Sequence, residues 1–87
     1  MNITWVRAAW EQYQEWIDEN KKILKRIDQL IEDILRNGNL TGAGNPEALK
    51  GDLSGFYSRH IDKYNRLIYR VTGDTLEIIS CKGHYDK

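Results

Sequence analysis

The hydrophobic pattern of this 87-residue chain changes period once, across a single irregular stretch, and that change restricts the fold more than any other feature. Upstream of it, Val6, Ala9, Trp10, Tyr13, Trp16 and Ile17 recur at the spacing of one helix face, as do Ile23, Ile27, Leu30, Ile31, Ile34 and Leu35. Downstream, Leu67, Tyr69 and Val71 alternate with Arg66, Ile68 and Arg70, the period of a strand. Between them, residues 37–55 hold five of the seven glycines and the only proline. A helical half and a strand half of this size bury their apolar faces against one another, which is an α+β arrangement with one small core.

Residues 2–6 read as a short strand, because Ile3 and Trp5 alternate with polar neighbours before the helical spacing begins. Asn20 falls between the two helical runs and is read as the cap of the second. Asn37-Gly38 ends that helix, since glycine supplies the left-handed backbone favoured there. Asn45-Pro46 reads as the start of one helical turn, which puts Glu47 and Lys50 on one face. Strands are expected at about 55–61, 65–72 and 75–82, joined by turns at Asp62-Lys63-Tyr64 and Thr72-Gly73-Asp74. The predicted order is β-α-α-β-β-β over a single domain, 1–87: two N-terminal helices on one mainly antiparallel four-stranded sheet. Leu67, Tyr69 and Val71 are expected to meet the helices, leaving Arg66 on the opposite, open face.

The formal net charge is zero, which argues against gripping nucleic acid by bulk charge. Residues 1–49 carry six Lys/Arg against eight Asp/Glu and residues 50–87 carry seven against five, a mild basic bias suited to an anionic ligand at the C-terminal end. Cys81 is the only cysteine, so no intramolecular disulfide can form and a reducing compartment is expected. Met1 to Trp5 lacks the basic start and apolar stretch of a secretory signal, and no apolar run is long enough to cross a bilayer. A cytoplasmic protein with no membrane association is expected.

The chemistry-bearing residues are Glu47, Lys50, Arg59, Arg66, His84 and Tyr85. Cleaving RNA needs a base for the ribose 2′-hydroxyl, cations for the charge developing on phosphorus, and an acid for the leaving 5′-oxygen. Glu47 suits the base, His84 the acid and Arg66 the phosphate clamp, while Tyr85 could stack on a base. Taken singly, each also has a plain reading: a first-turn carboxylate, a surface strand arginine, a terminal histidine. Cys81 and His84 have C-x-x-H spacing, but with only His60 as a further soft ligand no metal site is expected. The stripe Trp10, Tyr13, Trp16 reads as core or as a dimer contact, and Lys21, Lys22, Lys25 and Arg26 as a solvated face or an RNA-backbone contact.

Placed in order, Asn45-Pro46-Glu47-Ala48-Leu49-Lys50, Leu53-Ser54-Gly55-Phe56-Tyr57-Ser58-Arg59, Asn65-Arg66-Leu67-Ile68-Tyr69 and His84-Tyr85 resemble the YoeB/Txe toxins of the RelE/ParE superfamily. The resemblance runs from Trp5 to Tyr85 and includes Trp10, Tyr13, Trp16 and Lys25-Arg26-Ile27. It implies a RelE-like fold and a type II toxin that cleaves messenger RNA in the ribosomal A site, with a cognate YefM-like antitoxin covering the site. It further implies homodimerisation and a metal-independent reaction without cofactor, leaving a 2′,3′-cyclic phosphate or its opened form. By the same resemblance Glu47 is the general base, His84 the general acid, Arg66 the phosphate clamp and Tyr85 a residue that shapes the site. Lys50 and Arg59 correspond to basic residues near the RNA.

This chain departs from the family pattern at four places. His60 stands where a second arginine is usual, Gly83 replaces a larger residue, Asn65 replaces a common histidine, and Asp86-Lys87 extends the end. Asp86, if close to His84, would keep the imidazolium protonated to higher pH. Two other functions fit a chain of this kind: a ParE-like poison that traps DNA gyrase without RNA chemistry, and an inactive relative serving as the antitoxin's partner in autorepression.

Overall fold

Asn20 separates the two helices that the apolar spacing predicts, α1 (Arg7–Glu19) and α2 (Lys21–Asn37). Its side-chain oxygen accepts from the Lys22 and Ile23 amides at 3.1 and 3.2 Å, satisfying two of the donors that open α2. Gly38 closes the helix as the Asn37-Gly38 pair suggests, its amide donating to Ile34 O, with a positive φ of 85° but an extended ψ of −162° that glycine alone adopts readily. The computed structural model describes residues 1–83; the readings made for His84, Tyr85, Asp86 and Lys87 lie outside the described residues.

The strands are β1 (Asn2–Trp5), β2 (Glu47–Ala48), β3 (Tyr57–His60), β4 (Arg66–Thr72) and β5 (Thr75–Ser80), in sheet order β1-β5-β4-β3-β2. β1 runs parallel to β5, and every other pair is antiparallel. The sheet therefore has five strands, not the expected four. The difference is β2, where a helical turn was predicted. Asn45 adopts φ 52°, which breaks any helical start. Glu47 and Ala48 then pair with Ser58 and Tyr57, and the Leu49 amide donates to Phe56 O at 2.9 Å. The free edge of β3 offered this segment backbone partners, and the local cap signal lost to it.

One layer of side chains fills the space between helices and sheet. Ala9 and Trp16 from α1 and Ile27, Leu30 and Ile34 from α2 meet Leu67, Tyr69, Leu76 and Ile78 from β4 and β5. The predicted division of β4 holds, since Leu67 and Tyr69 are fully buried in this core while Arg66 and Arg70 are half-buried on the other face. The aromatic stripe divides. Trp16 is core, with its indole N–H donating to Cys81 O at 2.9 Å. Trp10 remains 46% exposed, stacked on Tyr13 with centroids 5.7 Å apart.

Cys81 is fully buried, its thiol against Ala9 O, and burial pushes its pKa up to about 12. Native protein is therefore expected to resist iodoacetamide at mildly alkaline pH and to react fully once unfolded; rapid labelling of the folded chain would contradict the packing. The thiol stays protonated in the folded chain at pH values where it ionises in the unfolded one. Its contribution to stability is thus complete below about pH 8.5 and declines as pH rises towards the folded value.

Candidate functional site

The antiparallel register decides which side chains share the open face of the sheet. Glu47 lies opposite Ser58 and His60 opposite Arg66, while Ile68 also faces Ser58. Directly opposed residues point to the same side, as do residues two apart on one strand. Glu47, Ser58, His60, Arg66, Ile68 and Arg70 therefore occupy the face turned away from the helices. The structure so brings together two of the residues expected to form the site, Glu47 and Arg66, and adds His60 between them.

The two arginines of β4 on this face are in different states. Arg70 is spent on structure: its Nε donates to Glu77 Oε1 at 2.7 Å, and its guanidinium lies 4.6 Å from the centre of the Phe56 ring. Arg66 is half-buried, and its Nη1 is shielded from solvent with no hydrogen-bond partner among the described residues. A desolvated guanidinium N–H without an acceptor is costly, and an anion is the partner that would relieve it. Glu47 on β2 is exposed, available to a ligand over the same face.

Asn65 ties Gly83 to this place. Its Oδ1 accepts from the Gly83 amide at 2.8 Å, and the Arg66 amide donates to Gly83 O at 3.0 Å. Asp62 accepts from the Asn65 side chain and from the Tyr64 and Asn65 amides, so the turn before β4 is set in shape. Gly83, the last described residue, is thus bonded at the start of β4 beside Arg66. This function of Asn65 is not apparent from the sequence, where the residue stands out only as part of the family motif, as the replacement for a common histidine and as the neighbour of a predicted turn.

Arg59 is a correction. It was expected among the RNA contacts, but it is wholly buried. All five of its N–H groups have acceptors: Tyr69 Oη for Nε, Asp33 Oδ2 and Ala43 O for Nη1, and Gly38 O and Thr41 O for Nη2. It shares its face with Tyr57 and Leu67, on the helix side of the sheet. Lys50 is exposed just beyond β2, on extended backbone; the helical face it was to share with Glu47 does not form. Of the basic cluster opening α2, Arg26 is half-buried and donates to His60 O at 3.3 Å, tying the helix to the end of β3.

Residues 5–85 match the family model of the YoeB-like toxin of bacterial type II toxin-antitoxin systems. The chain belongs to this family. A toxin YoeB from Streptomyces coelicolor is 47% identical over 85 residues, covering 98% of this chain and all of that relative. Among solved structures, the YoeB dimer from Staphylococcus aureus superposes with a TM-score of 0.93 at 45% identity, covering 98% of each chain. The heterotetrameric YoeB-YefM complex from the same organism gives 0.92 at 45% identity and the same coverage. The YoeB-like resemblance stated from Asn45–Lys50, Asn65–Tyr69 and the other segments is thereby borne out, as is the α+β fold class. No helix among the described residues is long and apolar enough to cross a membrane.

Proposed function

We propose that this YoeB-family chain is a ribosome-dependent endoribonuclease that cleaves messenger RNA in the ribosomal A site. The observation that carries this reading is the buried Nη1 of Arg66, without a hydrogen-bond partner among the described residues, on the same sheet face as the exposed carboxylate of Glu47. A phosphodiester fits that pair: its non-bridging oxygens accept from the guanidinium while the carboxylate approaches the neighbouring sugar.

In this mechanism Glu47 takes the proton of the ribose 2′-hydroxyl, and the 2′-oxygen attacks phosphorus. Arg66 stabilises the added negative charge on the phosphoryl oxygens as it develops. The bond from phosphorus to the 5′-oxygen breaks, and His84 delivers the proton that this oxygen needs. Tyr85 shapes the pocket and Lys50 contacts the RNA backbone. Acid, base and electrostatic clamp are all supplied by side chains, so the step is metal-independent and uses no cofactor.

The partners follow from the same reading. A YefM-like antitoxin neutralises the toxin, as the YoeB-YefM complex from S. aureus suggests, and the chain works as a cytoplasmic homodimer, as suggested by the YoeB dimer of that organism. The chemistry is tested by the ends it leaves. Upstream fragments from ribosome-programmed reactions should carry a 2′,3′-cyclic phosphate or its opened monophosphate. Upstream fragments with a free 3′-hydroxyl would contradict attack by the 2′-oxygen.

A further inference from the structure

β2 carries Glu47 but is only two residues long and lies at the sheet edge, too short to hold a carboxylate in place by its own ladder. What precedes it is built far more tightly. Arg59 accepts no solvent contact and grips the carbonyls of Gly38, Thr41 and Ala43, while Asp33 from α2 accepts from both Arg59 and the Ala43 amide. Tyr69, which accepts from Arg59, donates to Asn39 O at 2.6 Å. The Asn39 side chain in turn accepts from the Val71 amide. The loop is shaped to this grip: Gly42 has φ 119°, and a Cβ there would collide with the Asp33 carboxylate. At the loop's exit Gly44 O accepts from the His60 amide at 2.7 Å, three residues before Glu47.

We propose that Arg59 and Asp33 are a positioning pair for Glu47: by clamping residues 38–44 between α2 and β3 they fix the point from which β2 departs, and so place the base. The catalytic part of this inference rests on the nuclease reading above; the coupling of the loop to β2 does not. The Ala43 amide and then the Arg59 guanidinium hold the Asp33 carboxyl below the usual range against the opposing effect of desolvation, as expected of an ionised group inside such a grip.

The test uses Asp33→Asn and Gly42→Ala, which disturb the clamp without deleting the buried arginine, and reads amide hydrogen exchange beside messenger cleavage. The Leu49 and His60 amides, bonded to Phe56 O and Gly44 O, report on β2 and its entry; the Val6 amide, bonded to Ile78 O, reports on the far edge of the sheet. Both variants should speed exchange at Leu49 and His60 by about tenfold or more with Val6 changed less than about twofold. With ribosomes, kcat should fall by about tenfold or more while KM stays within about twofold. Unchanged exchange at Leu49 and His60, or equal acceleration at all three amides, would overturn the coupling. Faster local exchange with kcat unaltered would overturn the positioning of Glu47. Because exchange is measured without messenger, failure of the wild-type protein to cleave would remove the nuclease reading and leave the coupling to be decided by the amides.

Discussion

Arg59→Ala is expected to lower the free energy of unfolding by about 3–5 kcal/mol, the usual cost of deleting one partner of a buried ion pair. The loss arises from what is left behind: the Asp33 carboxylate, the carbonyls of Gly38, Thr41 and Ala43, and the Tyr69 hydroxyl all lose a donor at a site with no exposure of the arginine. A domain of this size has only about 5–15 kcal/mol in total, so the loss is a large fraction of its stability. Arg59→Lys should be intermediate, since an ammonium keeps the charge but has three donors in place of a five-donor fork. Urea unfolding followed by tryptophan fluorescence measures both. A loss below about 1 kcal/mol for Arg59→Ala would mean that the loop closes without the guanidinium.

Arg66→Ala is expected to do the reverse. Its Nη1 has no acceptor among the described residues to leave unpaired, so removing it should change stability by less than about 1 kcal/mol. Cleavage should fall by about 10²–10³-fold in kcat, as when one donor to a developing anionic charge is removed from a preorganised site. Single-turnover cleavage on programmed ribosomes, paired with urea unfolding of the same sample, separates the two effects. Full activity in Arg66→Ala would take the phosphate clamp away from this residue. Two arginines seven positions apart are thus expected to behave oppositely: loss of Arg59 should cost stability, and loss of Arg66, on the proposed reading, should cost cleavage.

The sequence revealed most where periodicity and chemistry agreed. The apolar spacing of α2 with Asn20 before it and Gly38 after it, and the alternation through Leu67 and Tyr69, placed elements whose burial the structure reproduces. It failed where tertiary partners decided. Asn45-Pro46-Glu47 carries a local helix-start signal, yet the free edge of β3 captured Glu47 and Ala48 into a strand. Arg59, expected near the RNA from the family resemblance, is buried instead: three of its five acceptors are loop carbonyls, which no residue type advertises, and the other two, Asp33 and Tyr69, lie 26 and 10 residues away in sequence. Strand parity held the better clue, since Arg59 alternates with Ser58 and falls on the face of Tyr57. Likewise the helical stripe joined Trp10 to Trp16, although only Trp16 lies over the sheet core.

The nuclease reading is tested most directly by adding the purified protein to a reconstituted translation reaction with a defined messenger and mapping 5′ ends by primer extension, with and without ribosomes. New ends within the A-site codon, present only when ribosomes are present and lost with Glu47→Gln, are the predicted result. An intact messenger in the presence of translating ribosomes and folded protein would contradict it.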